Sequence, residues 1–597
     1  MEGVLKKIQK NILGASGTVP APPQSLQQPK SVHAPVLLHH AQALVRRIAV
    51  SIASDNGVGS MTPSIYDTAW LSMIPKPGEK GRNEWLFPEC FEYLLDQQNE
   101  EGGWDLLNQG GQQGSRKYPE HLAIPECIVH SLAALLALLT HFKDDRSVSR
   151  DGEKPLSRGL ATISKAKRFL DQKLKVLQLE GITHLGFELL VPTVLNLLED
   201  NGLRFEFPAK EELMAMYKEA SSVNLELLYE NNGPCRLCFF PLEAFLDHID
   251  LERLGNLVGP AGICASPAST AVFLIYSPTW NTQCEEYLRD AVHKGPGRGN
   301  GSVGSVFPLE IFEASWVLSA LLDNGFSMDE LAKRDVDIIF RVLEREVEDG
   351  VVGATSTFYP DADNTSRAIT LVNIPGYKVS PVAMIRRFEG DECFKTFDDR
   401  VPNSLTSMSA NANVLNCLVH SPDPDAFSAQ IEKVAKFLCE RSSEGKKLVD
   451  HWNTSEFYTI MTITQSLCAL SPRNGQSSVF AISFELIFET IPICLQKLQA
   501  YILRNQKPNG SWGSMDSTEE TAYAVLALSQ LYPHVQLLGL QERLDTVLAI
   551  SRGKQFILDR WVPGCPIPDC MWTGKVLQGF SYVGEAYVLA ALKTMPW

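Results

Sequence analysis

The sequence predicts an all-helical protein built from two related helical domains. Apolar residues recur at three- and four-residue spacing over residues 312–324 and 521–532, the period of a helix with one buried face. Few runs alternate with a period of two, so strands should be scarce. The pattern Q-x-x-x-G-x-W occurs twice, as QNEEGGW over residues 98–104 and QKPNGSW over 506–512, each after an apolar helical stretch. In such a segment glycine permits the turn after the helix and tryptophan packs back. Glutamine is free to bond exposed backbone groups at a neighbouring helix end. One unit in each half of the chain points to two related domains.

A chain of 597 residues with 44% hydrophobic content can fill two large cores. Its formal net charge of −16 excludes a nucleic-acid partner, which demands a basic face, but not a phosphorylated substrate held by a local positive site or a bridging metal. The thirteen cysteines are scattered and odd in number. Cys235-Arg236-Leu237-Cys238 has no second pair at zinc spacing, so buried free thiols in a reducing compartment are expected. No apolar run is expected to reach membrane-spanning length, so no integral membrane segment is expected. Oligomeric state is not legible.

Residues 1–35 read as a disordered leader: Lys6, Lys7 and Lys10 face one acid, Glu2, before Val19-Pro20-Ala21-Pro22-Pro23. The leader lacks the arginines of an organelle-targeting peptide, which favours a cytoplasmic location. Residues 124–142 form a long apolar helix punctuated at its start by Pro125. The glycine-rich run Gly295-Pro296-Gly297-Arg298-Gly299-Asn300-Gly301-Ser302 marks the boundary between the domains.

The chemistry concentrates in Asp361-Ala362-Asp363-Asn364-Thr365-Ser366, behind Tyr359-Pro360. Two acids one residue apart, beside an amide and a hydroxyl, can keep one carboxylic acid protonated. Burial disfavours the charged form, and a second carboxylate disfavours it further. Such a proton is strong enough to attack a carbon–carbon double bond. The same hexapeptide also fits a surface Asx turn, with Asp361 or Asp363 capping a helix.

Other segments decide between these readings. Ser64-Ile65-Tyr66-Asp67-Thr68-Ala69-Trp70 resembles the S-A-Y-D-T-A-W signature of class II terpene cyclases, and Gly186-Phe187-Glu188-Leu189-Leu190-Val191-Pro192 resembles their G-F-E-x-x-F-P segment. Trp572-Thr573-Gly574-Lys575 resembles their W-I-G-K segment, and the hexapeptide reads as a variant of their D-x-D-D-T-A acid motif. Weaker matches fall between them in the same order: Ser266-Pro267-Ala268-Ser269-Thr270-Ala271, Phe307-Pro308-Leu309-Glu310-Ile311-Phe312-Glu313, Asn411-Ala412-Asn413-Val414-Leu415 and Asp450-His451-Trp452-Asn453. The collinear resemblance covers residues 57–597 and is to class II diterpene cyclases of the copalyl diphosphate synthase type.

The resemblance implies an all-α fold of two α/α barrels, a γ domain over 57–305 and a β domain with the acid motif over 306–597. A helix within 36–56 would pack with the β domain. No class I α domain is expected: Asp144-Asp145 and Asp398-Asp399 lack the third acid of D-D-x-x-D, so the diphosphate should survive. The implied substrate is a linear prenyl diphosphate, geranylgeranyl diphosphate foremost. Asp363 would be the general acid, with Asp361 raising its proton affinity and Asn364 in place of the fourth carboxylate. Protonation makes a tertiary cation, and neighbouring double bonds then close a decalin in a dry cavity. Trp316, Tyr359, Phe240, Trp452 and Tyr458, with Phe358, Phe457 and Trp572, are aromatic candidates for its wall, although ordinary core packing also explains each. Glu188 resembles the acid associated with Mg2+, which uses few carboxylates and retains phosphate or water oxygens. Lys447 and Lys575, with His451, are candidates for the diphosphate.

Two departures stand out. Asn364 removes one negative charge beside Asp363 and leaves an amide to bond it. In plant ent-copalyl diphosphate synthases a histidine and an asparagine form a base dyad with water; aligned without gaps, Phe240 and Pro260 stand at those positions. Neither accepts a proton, so the final base must lie elsewhere or the cation must rearrange. Two rival readings are a triterpene-type cyclase, which has more Q-W repeats, and a degenerate scaffold that binds a prenyl diphosphate without turnover.

Overall fold

The computed structural model describes residues 34–53, 59–77, 83–105, 118–143, 155–222, 229, 239–246, 248–398, 406–444, 447–448, 450–470, 482–537, 540–564 and 568–594. The leader lysines and prolines, Asp144-Asp145, Asp399 and the Cys235–Cys238 pair lie outside them.

Helices dominate, as the apolar spacing requires. The named strands among the described residues are Pro75–Pro77 and Asn83–Trp85, paired antiparallel. The predicted helix at 312–324 runs from Glu310–Leu322, and that at 521–532 from Thr518–Leu531. The second starts early because Ser517 caps it, its hydroxyl accepting the N–H groups of Glu519 and Glu520. The apolar helix predicted at 124–142 spans Glu120–Lys143, so Pro125 lies inside its second turn. As the sixth residue it lies past the first four N–H groups that lack acceptors, so it withholds one i→i−4 donor from the His121 carbonyl.

That helix corrects one expectation. By length and composition, Glu120–Lys143 and Leu486–Arg504 are each long and apolar enough to cross a membrane. The most apolar window of the first is 89% buried inside the protein, which is the pattern of a core helix.

One contiguous apolar core gathers residues from Ile65 to Phe307, joined by Val576 from near the end of the described chain. The helix Ala34–Ala53 packs instead on Glu310–Leu322, Lys333–Glu346 and Ser581–Lys593. It buries Leu37, Ala41, Leu44, Val45 and Ile48, one stripe at three- and four-residue spacing.

The two Q-x-x-x-G-x-W segments adopt the same geometry. Gln98 Nε2 donates to the Gly102 and Thr162 carbonyls at 2.8 and 3.2 Å, and Gln506 Nε2 to those of Gly510 and Ala549 at 3.0 and 2.9 Å. Trp104 and Trp512 are fully buried, each indole N–H donating to a carbonyl ten residues earlier, Leu94 and Ile502. Gly102 and Gly510 have φ of +101° and +91°, and an added Cβ at either would strike the backbone of the neighbouring helix. The glutamines reach carbonyls inside the helices Pro155–Lys175 and Leu540–Arg560 rather than at their ends. A helical carbonyl has a second lone pair to accept such a bond.

The ten described cysteines are thiols outside any disulfide, and eight of them are buried. Burial pushes thiols such as Cys127 and Cys417 up to about 12, which makes them inert packing groups.

Candidate active site

The acid motif opens the helix Ala362–Asn373, and Asp361 is its N-cap. The capping reading of the hexapeptide is therefore right about local structure and wrong about the surface. Asp361, Asp363 and Asn364 are all buried, with exposures of 4, 6 and 7%. Asp361 Oδ1 accepts the Asn364 backbone N–H at 2.7 Å, and Oδ2 accepts Asn364 Nδ2 at 2.8 Å. Thr365 locks the turn, exchanging hydrogen bonds of 2.9 Å with both backbone groups of Val352.

Asn364 thus serves Asp361 and makes no hydrogen bond to Asp363 among the described residues, contrary to the sequence expectation. An aspartate in its place would need a shared proton to bond Asp361 this way, and that acid pair would carry one negative charge. The amide–carboxylate pair carries the same charge. The predicted loss of one negative charge therefore applies only to a fully ionised pair.

Asp363 faces across to Asn413, whose Nδ2 donates to Oδ1 at 2.5 Å. Sequence reasoning noted the N-A-N-V-L segment but gave Asn413 no role. Burial raises Asp363 to about 6, against the opposing pull of Arg367 one turn on. Burial, with the nearby Asp363 charge, raises Asp361 to about 7. The order of these values puts the proton on Asp361, whereas the hydrogen bonds put it on Asp363. The hydrogen bonds decide: both Asp361 oxygens already accept N–H donors, while Asp363 Oδ2 has no partner among the described residues and lines the cavity. A proton on Asp361 Oδ2 would break its bond from Asn364.

The cavity holds about 280 Å³. Trp316, Phe312, Phe358, Phe397, Trp452, Trp572 and Phe580 line it with the acid motif, and Leu185, Gly186, Phe240 and Pro241 close it from the earlier half of the chain. The rings interlock: Phe312 lies 4.4 Å from Trp316, and Trp572 packs edge-on to both. Arg367 sits 4.3 Å from the Trp316 ring and so satisfies one aromatic face with a fixed cation.

The predicted wall divides. Trp316, Phe240 and Trp452 line the cavity; Tyr458 and Tyr359 do not. Tyr458 stands behind, its hydroxyl accepting the Trp316 indole N–H at 3.0 Å and its ring 4.9 Å from Trp572. Tyr359 turns away and donates to Asp398 at 2.7 Å, beside the Arg387–Asp398 ion pair. Phe358, its neighbour in sequence, points in. Pro260 is exposed and off the cavity.

The cationic candidates also separate from their expected places. Lys447 is exposed and off the cavity wall. Lys575 is fully buried and already paired: Nζ lies 2.6 Å from Glu243 Oε1, 2.8 Å from Ser266 Oγ and 4.6 Å over the Phe240 ring. A lysine enclosed by its own counter-ion has no direction left for a diphosphate. Its presence over Phe240 also uses one face of that ring.

Glu188 is half-buried in the first turn of the helix Phe187–Asp200, two residues after cavity-lining Gly186. It has no hydrogen bond or ion pair among the described residues, and no group of three or more His, Cys, Asp or Glu there is placed to hold a metal. A single free carboxylate fits Mg2+ only as the protein's one ligand to an ion that keeps phosphate and water oxygens.

No family model matches the chain. Over 561 residues it is 34% identical to the copalyl diphosphate synthase of Talaromyces verruculosus, covering 93% of this chain and 55% of that protein. A pimaradiene synthase of Emericella nidulans is 33% identical, with 93% and 56% covered. The solved ent-copalyl diphosphate synthase of Streptomyces platensis superposes with a TM-score of 0.69 at 22% identity, covering 94% of this chain and 99% of that one. Over nearly its whole length the chain is thus similar to part of each of these diterpene synthases. It shares the all-helical α/α-barrel fold of the solved cyclase. It spans about half the length of the curated relatives it matches. The family's acid motif is thus present with Asn364 as its departure, and the cavity that the motif serves is formed.

Proposed function

We propose that the protein protonates the terminal double bond of a linear prenyl diphosphate, geranylgeranyl diphosphate, and closes it to a bicyclic diphosphate with the phosphate ester intact. The observation that carries this is the unpartnered Oδ2 of Asp363 in a cavity walled by aromatic rings. A protonated carboxyl there can reach an alkene held in the cavity, while the Asp361 oxygens are occupied by Asn364. The rings offer π faces to the cation and exclude water. Relatives named for copalyl diphosphate and for further diterpenes support the substrate class. The triterpene and non-catalytic readings lack an observation of their own.

The product follows from Phe240, which lines the cavity and accepts no proton; Pro260 lies off the cavity and does not bear on the base. With no base at Phe240, the first decalin cation lives longer, and hydride or methyl shifts, or a different fold of the chain, follow. Incubation with geranylgeranyl diphosphate, dephosphorylation and comparison with chiral standards is expected to give a bicyclic alcohol other than ent-copalol. Ent-copalol alone would refute this reading of the product.

Activity should fall as pH rises through about 6 to 7, because the acid works only while protonated. Stability has the same sign. Both carboxyls titrate above their unfolded values, so their contribution is complete below the ordinary aspartate value of 3.8 and lost as pH climbs through the raised values. Profiles of kcat and of thermal unfolding against pH check both; a rate that climbs above pH 7 would remove the acid.

Mg2+ is proposed as the partner of the diphosphate, with Glu188 as its protein ligand. When bound, it would neutralise phosphate charge. Glu188→Ala should raise the Mg2+ concentration for half-maximal turnover about tenfold, the scale of one lost charged contact. An unchanged Mg2+ response would free Glu188 from this role.

A further inference from the structure

The cavity has five polar side chains in its wall. Asp361, Asp363 and Asn364 form the acid end; Thr573 and Gln578 stand on the hairpin that follows Trp572. The Thr573 hydroxyl donates its proton to the His451 carbonyl, leaving lone pairs only. Gln578 differs. Its backbone is spent on Trp572 in two bonds of 2.9 and 2.7 Å, but its side-chain amide makes no hydrogen bond among the described residues, although the residue is only 6% exposed. Its polar atoms are not enclosed by protein but open onto the cavity wall, so what bonds them must come from the cavity itself.

The hairpin fixes where that amide lies. A Cβ added at Gly574 would fall 2.5 Å from Gln578 Nε2, so the amide lies over the glycine. The Gly574 carbonyl accepts the Leu185 N–H at 2.8 Å, which ties the hairpin to the wall contributed by Leu185 and Gly186. Gln578 therefore sits beside the other half of the cavity wall, on a different chain segment from Asp363.

We infer that Gln578, with Thr573, holds the water that takes the last proton from the cyclised cation; this rests on the proposed function. A carboxamide is too weak a base to act alone, but it offers both a donor and an acceptor. A buried water needs two to four polar partners, and in this wall the Gln578 amide and the Thr573 lone pairs supply them. The proton balance closes. Asp363 loses its proton to the terminal alkene. After two ring closures the positive charge lies two rings away from the atom that received it. There a C–H bond breaks, its electron pair becomes the new double bond, and the proton passes through the water back to the Asp363 carboxylate. The net reaction is an isomerisation. If the same water adds to the cation instead, a C–O bond forms, its proton returns to Asp363, and the product gains one water. Gln578 is thus a positioning residue, which acts through the water it holds.

The test is product identity per substrate consumed. Wild type, Gln578→Leu and Gln578→Glu are each incubated with geranylgeranyl diphosphate and Mg2+ in H2(18)O, and the dephosphorylated products are resolved by mass spectrometry. Leucine keeps the volume and removes both hydrogen-bonding groups. The fraction of consumed substrate appearing as the wild-type product should fall about tenfold, the scale of one lost buried hydrogen bond, with other alkene isomers or rearranged skeletons in its place. Gln578→Glu, which can still hold a water, should restore it, and any hydroxylated by-product should carry (18)O and vanish in the leucine variant. An unchanged product fraction in Gln578→Leu overturns the inference. So does a folded leucine variant that forms no cyclic product, because the residue would then act before the last step. Should thermal unfolding show that leucine disrupts the fold, Gln578→Met takes its place. Wild type that forms no cyclic diphosphate would be the failure of the proposed function itself, recognisable before any variant is compared.

Discussion

Replacing Asp363 with asparagine should abolish cyclisation and leave the fold intact. The amide has the carboxyl's shape, and its oxygen still accepts from Asn413 Nδ2, so the helix start keeps its packing. What it loses is the acidic proton on the oxygen that faces the cavity. General acids contribute about 10² to 10⁴ in rate, and here no reaction begins without the transfer, so the loss should reach or pass the upper figure. Circular dichroism and thermal unfolding should match wild type. Turnover within tenfold of wild type would dismiss Asp363 as the acid and shift attention to Asp361.

Lys575→Met should produce the largest loss of stability. Lys575 and Glu243 are 0 and 1% exposed at their side chains, 2.6 Å apart, and join segments 332 residues distant in sequence. Breaking a buried pair by removing one partner costs about 3–5 kcal/mol, because the other charge is stranded without water. Asp67 feels the loss too, since the Lys575 charge opposes the effect of burial on its carboxyl. Removing both charges, as Lys575→Met with Glu243→Leu, should recover most of the stability. Chemical denaturation of the two variants measures this. A Lys575→Met protein of wild-type stability but raised KM would restore the lysine to the diphosphate site that the sequence suggested.

The sequence carried what local spacing can carry. Helical periodicity placed the long helices to within a few residues, and the repeated glutamine, glycine and tryptophan announced a turn that the structure builds twice from matching hydrogen bonds. The acid pair was legible because both members lie within one helical turn. Partners from far along the chain were not. Asn413 lies 50 residues from Asp363, and nothing in a run of small and polar residues says which amide will meet a carboxylate. The wall of the cavity was half legible for a related reason. Phe358 and Tyr359 are adjacent on a non-helical segment and point to opposite sides, so being near a motif does not decide facing. The tyrosine's hydroxyl settles it by finding Asp398 and the charged Arg387 outside the apolar space. A lysine beside a family motif resembles a phosphate ligand until its buried counter-ion is seen, and Glu243 lies 332 residues from Lys575. Asn364 was assigned to the wrong neighbour: three residues after an N-cap, a side chain folds back towards the cap rather than onward.

In the proposed reaction a proton from a carboxyl in equilibrium with solvent starts the cyclisation, and the diphosphate survives it. The most direct measurement is incubation with geranylgeranyl diphosphate in D2O, with mass and NMR analysis of the intact product. The expected product is a bicyclic diphosphate with deuterium from solvent at the ring carbon beside the gem-dimethyl group, with no inorganic pyrophosphate released. Pyrophosphate release, or a cyclic product without solvent deuterium at that carbon, would contradict it.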